Sequence, residues 1–566
     1  MLKILKASAG SGKTFTLAGE YIRLLFAGEP DCDPHAYRHI LAVTFTNKAT
    51  DEMKSRILKE LHIMATSPEK SSYIAEILEM RKDLSPADVA KMARRFLCNI
   101  LNDYGAFSVS TIDSFFQRAL KAFSREIGQF SSYQVELDKA SLVKESVDRI
   151  LDSLTEKDKN LLKWLSDSVM EQLNSDGRFS IENQLYEMAA ALHDEGHRTL
   201  AESLDLDDRK IYSRENLGRL REGCRKVIDG FAGKVSGAAA SVLDALDKAG
   251  VQPEEFNRKF LSRIRDYAEV NGNKAIPAPT EAFLRNSASP DLWFAKSKAG
   301  LRASVEGILE EPLGHFCNLF SDDYKTYKTA LALLGQIYSL GLAGELEDSF
   351  NELVKEKNVM SIDDSNTILR GIIDGSDAPF IYEKLGVRYD HFLLDEFQDT
   401  SGIQWENFRP LLAESLAGGN ANLIVGDVKQ SIYRWRNSDW NLLNSKLYEE
   451  FPGEYEKDVL DANWRSVDNV VDFNNGFYEY AAKALDSVSG NRGISEIYSD
   501  VRQEKRSRDA FKGNVDVMFC KDEDQIEAVV AEVRRLTEGG AAYSDIGVLV
   551  RTNAEGASVA SAFLSS

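Results

Sequence analysis

Three short segments carry residue types whose spacing suits nucleotide chemistry. The first is Ala7-Ser8-Ala9-Gly10-Ser11-Gly12-Lys13-Thr14, close to the N-terminus. A glycine-bearing turn followed by Lys-Thr lets backbone N–H groups and a helix N-terminus face phosphate oxygens. Lys13 then reaches the terminal phosphates, and the Thr14 hydroxyl ligates Mg²⁺. The usual loop opens on Gly where this chain has Ala7, but Gly10 and Gly12 remain to make the turn. The second segment, Leu393-Leu394-Asp395-Glu396-Phe397-Gln398-Asp399, ends an apolar run in two carboxylates. Asp395 there suits Mg²⁺, mostly through water, and Glu396 suits orienting and deprotonating an attacking water. In the third, Gly426-Asp427-Val428-Lys429-Gln430-Ser431-Ile432-Tyr433-Arg434-Trp435-Arg436, an amide suited to a γ-phosphate (Gln430) precedes aromatics interleaved with arginines. Aromatic faces stack on bases and guanidinium groups hold phosphates, so Tyr433 and Trp435 read as a single-strand contact. Full burial of that run would strand two charges.

The elements that must position these groups are legible from apolar patterning. Leu2, Ile4 and Leu5 precede the loop as a strand, and Phe15, Leu17, Ala18, Tyr21, Ile22, Leu24 and Leu25 follow it at helical spacing. Ile40–Phe45 with a helix from Asn47 to Met64 forms a second strand–helix unit. Phe107–Ile112, with Asp113 or Ser114 as helix cap, forms a third. Alternating strands and helices imply a parallel sheet. Residues 125–349 change character: Val147, Ile150, Leu151 and Leu154, and again Leu217, Leu220, Cys224, Val227, Phe231 and Val235, follow helical spacing with few strand signals. Loop breaks are expected at Pro253, Pro277, Pro279 and Pro290. Buried parallel strands return at 391–395 and 422–427, so one α/β domain (1–124 and 350–490) is split by a mainly helical insertion. Residues 491–566 read as a linker and the opening of a second α/β domain, with a buried strand at 546–551.

Bulk properties narrow the classes. The 566 residues carry a formal net charge of −21, which argues against a simple nucleic-acid-coating protein and confines any DNA contact to a local track. Five cysteines without a C-x-x-C pair argue for a reducing compartment and against zinc or iron–sulfur sites. No apolar stretch spans a bilayer, and the glycine loop interrupts any secretory signal, so the expected location is the cytoplasm. His193-Asp194-Glu195-Gly196-His197 reads as a surface acidic patch rather than a metal pair. Asp205–Asp208 and Lys505–Arg508 read as exposed charged segments.

Taken in order, these segments resemble the motifs of superfamily 1 DNA helicases of the UvrD/RecB type. Val43-Thr44-Phe45-Thr46-Asn47-Lys48-Ala49 and Ser110-Thr111-Ile112-Asp113-Ser114-Phe115 resemble that family's single-strand contact segments. Asn463-Trp464-Arg465-Ser466 resembles the segment whose aromatic packs on adenine and whose arginine reaches the γ-phosphate. Three features favour the RecB/AddA branch: the Ala-Ser-Ala-Gly opening, the absence of an upstream adenine-reading glutamine segment, and the long interval from Lys13 to Asp395. Met360-Ser361-Ile362-Asp363-Asp364 also resembles that branch.

The resemblance implies a RecA-like motor domain using ATP and Mg²⁺, acting 3′ to 5′ on single-stranded DNA and duplex ends in recombinational repair. It implies ATP contacts at Ala7–Thr14, Trp464 and Arg465, catalytic roles for Lys13, Asp395, Glu396, Gln430 and Arg465, and DNA contacts at Phe45, Asn47, Thr111, Tyr433 and Trp435. A second helicase–nuclease subunit is the implied protein partner. No match to the family's later motifs or nuclease domain is present, so the chain is expected to be the N-terminal part of a protein about twice its length. On that expectation it could also bind ATP and single-stranded DNA while hydrolysing poorly.

Overall fold

The protein is represented by a computed structural model that describes residues 1–28, 32–123, 134–136, 138–155, 159–173, 181–194, 196–197, 200–201, 208–272, 274–294, 300–373, 378–490, 492–506 and 511–565. Glu195, residues 205–207 of the acidic run and residues 507–508 of the basic run lie outside the described residues.

Strands β1 (Leu2–Ala7), β2 (Ile40–Thr44) and β3 (Val109–Thr111) alternate with helices α1 (Lys13–Leu25), α2 (Asn47–Thr66), α3 (Pro86–Asn102) and α4 (Ile112–Ala122). After a short strand β4 (Gln134–Glu136) the chain enters a helical region. Its main members are α5 (Arg214–Ala249), α6 (Arg302–Asn318), α7 (Asp322–Leu340) and α8 (Ala343–Lys357). Strand β5 (Val359–Ser361) returns the chain to the sheet domain, which continues with β6 (His391–Leu394), α9 (Gly402–Ala417), β7 (Asn422–Gly426) and β8 (Tyr455–Leu460). Then come β9 (Ala462–Asn463), α10 (Asp468–Ser489) and β10 (Glu504–Lys505).

The main sheet has the order β3-β2-β6-β7-β1-β8 and every pair in it is parallel. A parallel sheet needs helices on both faces, and the alternation of side chains supplies two cores. Leu2, Ile4, Leu41, Val43, Phe392, Leu394 and Ile424 point into one, with Phe115 and Phe116 of α4 and Phe408 of α9. Leu5, Ala7, Ile40, Ala42, Leu393, Leu423 and Val425 point into the other, with residues of α1, α2 and α3. All strand C-terminal ends therefore share one edge, where open α/β sheets bind ligands. The insertion has two cores of its own, one around α5, α6 and α7 and one around α8. The expected fold class, a parallel α/β sheet interrupted by a mainly helical insertion, is the one observed.

Several local expectations are corrected. The cap of α4 is Thr111, not Asp113 or Ser114: Thr111 keeps an extended backbone and its Oγ1 accepts from Ser114 N at 3.3 Å. The insertion region is closed by a two-stranded parallel pair, β4 with β5, which lacks the apolar run that would mark it in sequence. Strand β8 carries no sequence signal either, because as an edge strand it is mostly exposed and charged. Residues 546–550 form no strand: Leu549 is 98% exposed, and a strand exists only through ladder partners that the described residues do not supply there. Leu220 and Val227 lie on the exposed side of α5. His193 is buried rather than on a surface patch, its ring 4.0 Å from that of Phe350.

Candidate nucleotide and nucleic-acid site

The turn between β1 and α1 has the shape its glycines permit. Gly10 and Gly12 have φ of 77° and 92°, a region that side chains disfavour. A Cβ on Gly10 would lie 2.8 Å from Asn463 Oδ1 and 3.0 Å from Arg465 Cβ, so the turn is also closely covered. Ser11 folds back on Ser8, its N and Oγ donating to Ser8 O at 3.2 and 2.7 Å. Lys13 and Thr14 open α1, so the helix N-terminus faces the turn. Ala7 is the last residue of β1 and is buried.

Across the edge, β6 ends at Leu394 and presents Asp395 and Glu396. Asp395 N donates to Val43 O at 2.8 Å, extending the ladder by one bond. Glu396 is forced into left-handed backbone, φ 48°, and its own N donates to Asp395 Oδ1 at 2.9 Å. This strained turn brings Glu396 Oε2 to 2.8 Å from Lys13 Nζ, joining residues 383 positions apart. Burial, then the charge of Glu396, raises Asp395 to about 7, while Lys13 acts the other way. The same two causes raise Asp399 to about 6.

A buried amide connects this pair to the third segment. Gln398, 1% exposed, donates through Nε2 to Glu396 Oε2 at 2.7 Å and accepts at Oε1 from Asp427 N at 2.9 Å. Asp427 Oδ2 accepts from Gln430 Nε2 at 2.6 Å, and Lys429 Nζ lies 3.0 Å from Asp427 Oδ1. Gly426 is small because a Cβ there would sit 2.7 Å from Gln398 Oε1. Three residues beyond Gln430, Tyr433 meets Phe45 from the end of β2, ring centroids 4.5 Å apart. Trp435 continues the surface 6.1 Å from Tyr433 and is 77% exposed, and the Arg436 guanidinium lies 5.7 Å from the centre of Phe45. The structure thus gathers Phe45, Tyr433, Trp435 and Arg436 into one open aromatic and cationic face.

The remaining sequence-predicted residues are placed as follows. Asn47 opens α2, exposed, beside the cap Thr46, whose Oγ1 accepts from Ala49 N at 3.1 Å. Thr111 is 8% exposed and its hydroxyl is engaged in capping α4. Trp464 N donates to Gly10 O at 2.9 Å, which hangs the exposed indole beside the phosphate loop. Arg465 follows it, exposed, with its N donating to Asn463 Oδ1 at 3.0 Å. Sequence reasoning assigned no role to Gln398 or Asn463, and Gln503 carried no local signal at all. Asn463 Nδ2 and Gln503 Nε2 both donate to Ala9 O, at 3.3 and 2.9 Å.

The residues fit a magnesium nucleotide. Asp395 is a carboxylate whose burial disfavours its charge unless a cation joins it, and the Thr14 hydroxyl is a second hard oxygen donor. The tight Gly10 cradle suits a phosphate group, which needs backbone rather than side chain at the turn. Among the described residues no cluster of three or more His, Cys, Asp or Glu side chains could hold a metal. No single helix among them is long and apolar enough to cross a membrane.

The UvrD/REP helicase N-terminal domain family matches residues 3–452. An ATP-dependent helicase/nuclease subunit of Streptococcus suis is 24% identical over 592 residues, covering 97% of this chain and 45% of that protein. The RecBCD enzyme subunit RecB of Escherichia coli is 23% identical over 602 residues, covering 98% of this chain and 46% of that protein. The ATP-dependent helicase/nuclease subunit of the same name in Lactiplantibacillus plantarum is 24% identical over 490 residues, 82% of this chain and 37% of that protein. The chain spans less than half the length of these relatives. The chain belongs to the UvrD/REP helicase family.

Proposed function

We propose that this protein is an ATP-driven translocase and helicase that moves 3′ to 5′ on single-stranded DNA and acts in the processing of DNA ends. The observation that carries the reading is a continuous hydrogen-bonded chain from the phosphate loop to the aromatic face. It runs from Lys13 to Glu396, Gln398, Asp427 and Gln430, with contacts of 2.8, 2.7, 2.9 and 2.6 Å. Tyr433 then follows Gln430 on the same loop and packs against Phe45.

A bound γ-phosphate offers Lys13 a stronger partner than Glu396, and the freed carboxylate then accepts the proton of an attacking water. Thr14 and Asp395 would hold Mg²⁺, which would supply charge neutralisation at the phosphates. Gln430 and Arg465 contact the γ-phosphate, and Trp464 lies against the base. Loss of that phosphate changes the hydrogen bonds of Glu396 and, through Gln398 and Asp427, those of Gln430. The loop carrying Tyr433 and Trp435 therefore differs between nucleotide states, and its stacking on bases differs with it. Phe45, Asn47 and Arg436 complete the strand contact, with Thr111 acting from beneath. Direction of travel rests on the family alone. The cytoplasmic location and the partnership with a second helicase–nuclease subunit rest on it too.

Steady-state ATP hydrolysis with and without single-stranded DNA tests the reading, with Lys13→Ala as the blank and 3′- and 5′-tailed duplexes for polarity. Stimulation by DNA that vanishes in Lys13→Ala supports a DNA-coupled motor. Binding of both ligands without stimulated turnover reduces the chain to a binding unit. Hydrolysis unchanged in Lys13→Ala overturns the site.

A further inference from the structure

The segment from Asp500 to Gln503, outside every nucleotide motif, touches both walls of the cleft. On one side, Gln503 Nε2 donates to Ala9 O at 2.9 Å while its Oε1 accepts from Asn463 Nδ2 at 2.8 Å. On the other, Asp500 Oδ1 lies 2.6 Å from Lys429 Nζ, the neighbour of Gln430, and Lys429 is only 11% exposed. Asp500 also offsets the repulsion that Lys457 and Lys429 exert on half-buried Lys6. The segment is itself anchored. Glu504 N donates to Asp461 O at 2.7 Å and Arg506 N to Asn463 O at 3.0 Å. Gln503 N and O exchange hydrogen bonds with the Asn475 side chain of α10 at 2.9 and 3.0 Å.

We propose that Asp500–Gln503 is a strap that positions both walls of the nucleotide cleft, Gln503 acting on the phosphate loop through Ala9 and Asp500 on the Gln430 loop through Lys429. The inference rests on the nucleotide reading of the site. The peptide group is planar and trans, so the Ala9 carbonyl and the Gly10 N–H lie in one plane and point in opposite directions. Holding the carbonyl outward with two amide donors aims the Gly10 N–H inward, at the phosphate position. The second arm works through a shared carboxylate. Asp427 gives one oxygen to Lys429 and the other to Gln430. With Asp500 present, the Lys429 ammonium is balanced between two carboxylates and the loop holds one register. Without it, Lys429 depends on Asp427 alone and competes with Gln430 for that group. Both residues act through others and are positioning residues. Because α10 grips the strap through Asn475, a displacement of α10 reaches both walls together.

Two substitutions three residues apart should give opposite kinetic signatures. Gln503→Ala should weaken binding of a fluorescent ATP analogue and raise KM for ATP by about three- to tenfold, with kcat within about twofold. Gln503→Glu keeps the shape, lacks the donor and should behave alike. Asp500→Asn should lower DNA-stimulated kcat by about three- to tenfold with KM within about twofold, and Asp500→Glu should restore most of it. If these variants lower only the thermal midpoint and leave both constants within twofold of the parent, the strap is merely structural and the proposal fails. Lys13→Ala measured alongside separates the two levels. Loss of hydrolysis there with no split between Gln503 and Asp500 overturns the strap alone, whereas hydrolysis intact in Lys13→Ala overturns the reading beneath it.

Discussion

Asp395→Asn is expected to stabilise the magnesium-free protein while removing its function. In the folded chain burial and the neighbouring Glu396 raise this carboxyl from 3.8 to about 7. A carboxyl raised in the fold contributes stability that is fully present below its unfolded value and is lost as pH rises towards the folded value. Above pH ~7 the native state therefore carries a cost of about 4 kcal/mol, which water in the open cleft reduces to about 2–4 kcal/mol. Asparagine keeps the Oδ1 acceptor for Glu396 N, which is 2.9 Å away in the parent, and carries no charge to bury. Its advantage should grow by up to ~1.4 kcal/mol per pH unit between about pH 4 and 7 and stay level above that. The assay is thermal or urea unfolding of both proteins in chelator at several values from pH 4.5 to 8.5. A rise of about 3–6 °C in midpoint above pH 7, shrinking towards pH 4.5, is expected. Added magnesium nucleotide at a hundredfold excess over Kd should raise the parent by about 2.7 kcal/mol, and the variant should lack the magnesium-dependent part of that gain. A variant no more stable than the parent at pH 8.5, or equally favoured at both ends of the range, would refute the electrostatic argument.

Other outcomes follow from the same geometry. Gly10→Ala must fit a methyl 2.8 Å from Asn463 Oδ1 at a φ of 77°, so affinity for a fluorescent nucleotide should fall at least about tenfold, and a smaller loss in direct titration would show that the turn is less constrained. Trp435→Ala removes an exposed stacking face, and single-strand affinity by fluorescence anisotropy should drop by about 1–3 kcal/mol; unchanged affinity would place the strand elsewhere. Gln398→Leu leaves Asp427 N and Glu396 without their shared amide, costing about 1–3 kcal/mol in urea unfolding, and should uncouple hydrolysis from DNA even where ATP still binds. DNA-stimulated turnover surviving in that variant would break the proposed relay.

The sequence by itself determined the scaffold of this protein and the types of residue on its working edge. Apolar runs at β2, β6 and β7 announce buried parallel strands, because strands covered on both faces lose the polar alternation of a half-exposed sheet. The glycine turn with Lys13 and Thr14, the Asp395-Glu396 pair and the Tyr433–Arg436 run are local signals, since each group's chemistry is stated by residues a few positions apart. The edge strand β8 gave no such signal, because an exposed charged strand exists only through its pairing with β1.

Only the tertiary structure decided how the parts meet. Lys13 and Glu396 are 383 positions apart and become an ion pair because β1 and β6 end at the same edge, and Thr111 proves to be the cap of α4. The Gln398 relay and the Asp500–Gln503 strap were invisible in sequence, as an amide or carboxylate is informative only once its partner is known. Hydrogen bonds act over about 3 Å, and chain order says nothing about which of several hundred residues arrives at that distance.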